Sequence, residues 1–323
     1  MDPGDLAEIQ ARISKLAALS ASKRSEETAP AITSLAPIRH PQQDFFLAKT
    51  FDAALKDDSA SMEHPMFSLS KSPDLGIRIY EHRGNSITIT PSANGLATIW
   101  DKDILLFTIS TLIEAQNRGL PISRKVRLRA RDLLVYCNRG VSGAEYDGLV
   151  KAFERLAGTR IKTDITTGKK RHRQGFGLIE TWSIVERTSS NRMSCIELTL
   201  SEWLYNAVVS TEVLTLSRDY FRLRKGLERR LYELARKHCG LQAKFAIRLD
   251  TLLKKSGATC SLKEFRRQIK EVVKSNALPD YSLEFNPDSD LVTIWTKDGG
   301  KRLRRMIEEA QIRGIKTLDG ILT

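Results

Sequence analysis

Two stretches, RKVRLRARDLLVYCNRGVSGAEYDGLVKAFERLA (residues 124–157) and AKFAIRLDTLLKKSGATCSLKEFRRQIKEVVKSN (residues 243–276), align without a gap at an offset of 119. Val126 falls on Phe245 and Leu128 on Ile247, so each stretch opens with the alternation of a half-buried strand. Leu133 and Leu134 fall on Leu252 and Leu253, the apolar centre of a short helix. Ser142-x-x-Glu145 falls on Ser261-x-x-Glu264, and each has the form of a capping box, which announces a helix start. Tyr146, Val150 and Phe153 then fall on Phe265, Ile269 and Val272, a stripe at helical spacing. Lys151 and Arg155 fall on Lys270 and Lys274, away from that stripe. A weaker echo precedes both copies, where Ile104, Leu112 and Ala115 meet Leu223, Leu231 and Leu234.

Working outward, each copy is followed by a two-strand pattern. In the first, TRIKTDI and FGLIETWSIVE flank the loop TTGKKRHRQG; in the second, YSLEF and LVTIW flank NPDSD. Helix, strand, helix, helix, strand, strand is the order of a winged helix. The predicted fold is therefore α+β: two tandem winged-helix domains related by an internal repeat, plus a flexible N-terminal extension. The expected divisions are an extension over 1–43, a first domain over 44–195, a second over 196–298, and a basic helix or tail over 299–323. Within the extension the pattern allows a short amphipathic helix at Leu6–Leu19. Ahead of the first repeat, IRIYEH and SITIT predict a hairpin with Ile77 and Ile79 on the face of Ile87 and Ile89.

The 323 residues carry a formal charge of +13, which points to a polyanionic partner. The surplus is local: 123–175 has a net of +9 and 218–276 a net of +11, leaving −7 for the rest. Membrane spanning is not expected, since no apolar run approaches the ~18–20 residues required. The acidic start MDPGDLAEIQ lacks the layout of a signal peptide, so the chain reads as cytoplasmic. Cys137, Cys195, Cys239 and Cys260 stand apart, with no metal-ligand spacing to each other or to histidine, and are expected to be buried and reduced. No metal or other cofactor is expected.

A helix-turn-helix places its second helix in the major groove, where base edges display distinct donors and acceptors. Such a helix needs an apolar face for its domain and a face of donors for DNA. The DNA-contacting candidates are Lys151 and Arg155 in the first copy, and Arg266, Arg267, Lys270 and Lys274 in the second. The loop Gly168–Arg173 adds Lys169, Lys170, Arg171 and Arg173, placed to follow phosphates or enter the minor groove as a wing. Any one of these residues is equally at home on a solvated face; the matched positions in two helices favour the DNA reading. The cluster Lys301–Arg305 is open between DNA backbone contact and a merely flanking role.

The wording of several segments goes beyond pattern. SRDYFRLRKGLERRLYELARKHCG (Ser217–Gly240) resembles the long helix "Y…R-LYEL" that introduces the second winged helix of iteron-binding plasmid replication initiators. FFLAKTFDAALKDDSASMEHPMFSLS, GLATIWDKDIL, GTRIKT, LSEWLYNAV and VLTLSRDYFRLRKGLERRLYELARKH look like the replication initiator protein A family. The resemblance runs from about Asp44 to Lys297. It implies monomers on directly repeated double-stranded sites (iterons) at an origin, and opening of the adjacent duplex. It also implies dimers that repress the protein's own promoter, and recruitment of host DnaA and the replicative helicase.

The family acts by binding, and the resemblance implies no catalytic residue. A nicking enzyme would need a tyrosine nucleophile and metal-holding histidines, whereas Tyr220 and Tyr232 fit a packing pattern and no H-x-H occurs. An ATP-driven initiator would need G-x-x-x-x-G-K-[ST], which is absent from the sequence. The nearer rival is a dimeric winged-helix transcriptional repressor without initiator activity, which would read DNA in the same way.

Overall fold

The structure is a computed structural model describing residues 35–40, 54–82, 85–167, 170–187, 192–240, 242–301, 304–305 and 308. The helix expected at Leu6–Leu19 lies outside the described residues. In chain order the first elements are β1 (Lys56–Asp58), α1 (Ser59–Glu63), β2 (Arg78–His82), β3 (Asn85–Thr90) and α2 (Lys102–Asn117). The first aligned stretch forms β4 (Lys125–Leu128), α3 (Ala130–Tyr136) and α4 (Gly143–Gly158). Four strands follow: β5 (Arg160–Thr167), β6 (Lys170–Gly177), β7 (Ile179–Arg187) and β8 (Arg192–Leu200). Then come α5 (Glu202–Val209), β9 (Val213–Thr215), a 3-10 turn at Arg218–Arg222 and α6 (Gly226–His238). The second stretch forms β10 (Lys244–Arg248), α7 (Leu249–Ser256) and α8 (Leu262–Ser275), followed by β11 (Tyr281–Asn286) and β12 (Leu291–Thr296).

The second stretch folds as read. β10, β12 and β11 pair antiparallel in that order, with Ile247 opposite Val292 and Leu283 opposite Ile294. Phe265, Ile269 and Val272 carry the buried face of α8 onto this sheet. Gly257 ends α7 at φ 72°, a left-handed turn that a side chain resists, and a Cβ there would come within 2.6 Å of Pro65. Both serines predicted as helix caps sit at N-cap positions. The Ser261 hydroxyl accepts from the Glu264 amide at 3.3 Å, whereas the Ser142 side chain makes no cap bond. Neither glutamate completes the reciprocal capping box: Glu264 instead binds Arg267 and Gln268.

The first stretch departs from the reading in its strands. β4 pairs with β8, and β8 with β7, so the hairpin that completes this sheet is 179–200. TRIKTDI and the basic segment after it form a different hairpin, β5–β6, inserted between α4 and β7. It extends the first hairpin into a sheet of order β2-β3-β5-β6. Only pairing partners separate the two assignments, and spacing along the chain does not reveal them. β8 also runs through the boundary expected at 195/196, and its ladder continues to Leu200. Within α4 the fully buried positions are Leu149, Ala152, Phe153 and Leu156, while Tyr146 and Val150 are half-buried. Leu223 lies ahead of α6, so the upstream echo holds from Leu231 onward.

The face assigned to Ile77 and Ile79 is corrected as well. A two-residue connection pairs His82 with Asn85, which puts Arg78 opposite Ile89 and Ile79 opposite Thr88. One residue of register exchanges the faces of a strand. Ile87 and Ile89 are buried, while Ile77 and Ile79 stand 62% and 63% exposed. Two of the four cysteines, Cys137 and Cys239, are buried as expected; Cys195 and Cys260 are half-buried, and all four are free thiols.

The two halves share one hydrophobic core, and a buried polar network on α6 joins them. The Lys102 ammonium lies 2.6 Å from Asp57 and 3.0 Å from Glu233. The second oxygen of Glu233 takes Arg230 at 3.0 Å, and the Tyr220 hydroxyl donates to Glu233 at 2.8 Å. Arg230 also donates to the carbonyls of Ser61, Met62 and Lys255. Arg229 and Arg139 share Asp103, at 2.7 and 2.9 Å. Tyr232 donates to Asp280 at 2.6 Å and accepts from the Ser217 amide at 2.8 Å. Gly226 opens α6 where a Cβ would meet the Leu69 carbonyl at 2.4 Å.

Burial pushes the Asp57 carboxyl up to about 8, against the pull of Lys102. Burial acts the same way on Glu233, but Lys102, Arg230 and Tyr220 outweigh it and hold that carboxyl below its usual value. For Asp57 the sign is that of a raised carboxyl: the native state keeps a proton that the unfolded chain loses near 3.8. Its contribution to stability is complete below that value and is lost as pH rises toward 8. Asp57→Asn is therefore expected to flatten the fall in stability between pH 5 and 8, as read from urea midpoints at three pH values. An unchanged slope would refute it.

Candidate nucleic-acid interface

Helix α8 divides cleanly. Phe265, Ile269 and Val272 face the core; Lys263, Arg267, Lys270, Glu271 and Lys274 are exposed. Lys263, Arg267, Lys270 and Lys274 follow one another at spacings of three and four, so they stand in one row along the helix. Arg267 is 58% exposed and is held along the helix by Glu264 at 2.6 Å and by Glu271. Hydrogen bonds from Arg267 and Gln268 pull the Glu264 carboxyl down to about 2, so it is ionised at neutral pH. The Lys270 ammonium sits 5.9 Å from the Phe285 ring on β11. Two acids against a row of four cations leave a positive outer face. Lys263 belongs to that row and extends the sequence candidates Arg267, Lys270 and Lys274 by one turn; its spacing of four from Arg267 is the signal that places it there.

Arg266 is turned elsewhere. It makes a bidentate ion pair with Asp290, at 3.0 and 2.6 Å, fastening α8 to the β11–β12 turn. Asp290 sits at φ 49°, and its carbonyl accepts from the Leu249 amide that starts α7. The guanidinium thus braces the helix against the turn.

Helix α4 differs from α8. Its exposed row is Ala144, Asp147, Lys151 and Glu154, so Lys151 stands between two acids. Arg155 is 20% exposed and bonds both oxygens of the buried Asp101 at 2.7 Å. It holds α4 to the start of α2 instead of offering its donors outward. Arg155→Ala is expected to cost about 1–3 kcal/mol, the penalty for stranding a buried acceptor. Urea unfolding checks this, and DNA affinity per folded molecule is expected to be unchanged.

A run of exposed cations in the first half lies instead on β4 and the start of α3. Lys125 and Arg127 are 69% and 67% exposed on alternate positions, and Arg129 and Arg131 continue outward. Glu197, opposite Arg127 on β8, lies 3.2 Å from Lys125 and 3.6 Å from Arg127. The alternation RKVRLRAR was legible as a strand, and its polar positions were the missed signal. Of the basic loop, Lys169 lies outside the described residues, as do the side chains of Lys170 and Arg171. Lys170, Arg171 and Arg173 belong to strand β6, with Arg173 exposed opposite Asp164. Among the tail cations, Lys301, Arg304 and Arg305 are exposed.

Charge counted along the chain overstates this surface. Arg229, Arg230 and Arg236 fall within the +11 stretch yet are buried in the network of α6, as is Lys102 elsewhere in the chain. Among the described residues no three His, Cys, Asp or Glu side chains are grouped to hold a metal ion. Among the same residues, no helix is long and apolar enough to cross a membrane.

Strand, helix and basic-faced helix, closed by a hairpin, make a winged-helix-like architecture whose second helix carries an exposed row of cations. The family model described as Replication initiator protein A matches residues 56–283, and the chain belongs to that family. A protein of Wigglesworthia glossinidia brevipalpis named as a replication protein is 40% identical over 256 residues, covering 78% of this chain and 93% of that one. Among solved structures, domains 2 and 3 of RctB superpose with a TM-score of 0.53 at 13% identity, covering 76% of this chain and 99% of that one. A selenomethionine form of the same two domains gives 0.52 at 14%, covering 74% and 98%. That likeness concerns the fold alone.

Proposed function

We propose that the chain initiates plasmid replication by binding repeated double-stranded sites at an origin through two winged-helix-like modules related by an internal repeat. The observation that carries this reading is the row Lys263, Arg267, Lys270 and Lys274 on the outer face of α8, in a chain of a replication initiator family. Arginine and lysine there can reach acceptors of guanine in the major groove. Lys125, Arg127, Arg129 and Arg131, with the cations of the β5–β6 hairpin, supply phosphate contacts that fix register and make affinity salt-dependent. The modules divide the work unequally: α8 reads, and the first module grips.

In this reading the protein acts by binding and has no catalytic step. Bound monomers promote opening of the neighbouring duplex and recruit host DnaA and the replicative helicase, and dimers act on the protein's own promoter. The test is replication in trans. A plasmid carrying the DNA that flanks this coding sequence is expected to be maintained only when the protein is supplied. Maintenance without it, with raised expression from the promoter, would favour the repressor reading.

A further inference from the structure

Strand β6 is the outer strand of the sheet β2-β3-β5-β6, and β5 is its sole ladder partner among the described residues. Alternate residues of such a strand turn their N–H and C=O groups away from the sheet, where they can template another strand. Alongside this edge lies an open cleft of about 500 Å³ between β6 and α5. Phe176 and Trp203 stack across its floor, ring centres 4.9 Å apart and planes within 20°. Gln174 and Gly175 on the edge are exposed, and a Cβ at Gly175 would meet nothing within 4 Å, so another backbone can approach there.

The charge of this cleft is opposite to that of the molecule. Glu202 and Glu212 form its rim, and its lining holds no Lys or Arg among the described residues, in a chain of net charge +13. The rim is fixed by backbone: Glu212 accepts from the Ser59 amide at 3.0 Å and donates to Ala207 at 2.8 Å. Two carboxylates at the mouth disfavour nucleic acid and favour a cation. We propose that this cleft receives an extended, cationic segment of a partner protein as an added strand on β6. An apolar side chain of that segment rests on Phe176 and Trp203, and its Lys or Arg side chains face Glu202 and Glu212. Strand addition supplies backbone hydrogen bonds, and the aromatic floor and acidic rim supply selectivity.

The experiment uses the full chain and a fluorescein-labelled peptide of about nine residues that alternates Lys or Arg with Val or Phe, followed by anisotropy. Saturable binding is expected. The double variant Glu202→Lys/Glu212→Lys should weaken it by about tenfold or more, and N-methylation of alternate peptide amides should weaken it similarly. Glu81→Lys, an exposed acid on β2, should change it less than about twofold. Origin DNA affinity should not fall in either variant, which confirms that both are folded. Absence of saturable binding, equal binding to the double variant, or equal binding of the N-methylated peptide would each overturn the proposal. Sedimentation of the protein alone covers a remaining occupant: self-association abolished by the double variant would assign the cleft to a second copy and overturn it too.

Discussion

Lys102→Met is expected to destabilise the protein by about 3–5 kcal/mol, a large part of the ~5–15 kcal/mol that holds an ordinary domain folded. The lysine side chain is 1% exposed and stands between Asp57 and Glu233, both equally buried. Methionine fills its volume but leaves the Glu233 carboxylate in an apolar site with Arg230 as its remaining cation, while Asp57 already keeps its proton below about 8. Glu233 can then be relieved by taking a proton, so the deficit should shrink as pH is lowered from 8 to 5. Adding Asp57→Asn and Glu233→Gln to Lys102→Met should recover part of the loss, because the carboxylate that lost its partner is removed with it. Denaturant titration of the single and triple variants checks this. DNA affinity per folded molecule should be unchanged, although Lys102 is a lysine in a DNA-binding protein. A single variant as stable as the parent would remove α6 from its place as the polar hub.

The second large effect concerns recognition. Arg267→Ala and Lys270→Ala are each expected to cost about 1–3 kcal/mol of binding to the specific site, roughly five- to hundredfold, with a smaller loss on unrelated DNA. Arg267 has a further consequence, since Glu264 and Glu271 now hold it along the helix. Removing the guanidinium leaves those two acids facing DNA, so its replacement should be the costlier of the two. Arg266→Ala should act differently, loosening α8 from the β11–β12 turn by releasing Asp290. Affinities for specific and unrelated duplexes, measured over a salt series, separate these cases. Equal loss on every DNA would deny α8 its reading role.

Local signals were legible in the sequence and remote ones were not. The starts of both second helices were marked by Ser142 and Ser261, and the core face of α8 by Phe265, Ile269 and Val272, because each depends on neighbours within a turn or two. The hairpin at 78–90 was visible from its alternation, but its faces were reversed, since a connection of two residues decided the register. Strand partnership misled most: nothing in TRIKTDI says that it pairs with β3 instead of completing the first module's sheet. Charges were ambiguous for the same reason. Arg155 reads as a DNA ligand along the chain and Arg229 counts toward the +11 stretch, and their destinations, Asp101 and Asp103, become visible only in three dimensions. Arg229 and Asp103 are 126 positions apart. The segments whose wording resembles the initiator family contribute Asp57, Lys102, Asp103, Tyr220, Arg230 and Glu233. Much of that wording therefore spells out the buried polar network, while the exposed cationic row of α8 lies outside the quoted segments.

The most direct measurement is a footprint of the purified protein on the DNA flanking its own coding sequence, at physiological salt and across a concentration series. Protection of several direct repeats, each about two major grooves long and each lost with Lys270→Ala, is the predicted result. Protection of a single inverted repeat over a promoter, or protection indifferent to Lys270, would contradict the account.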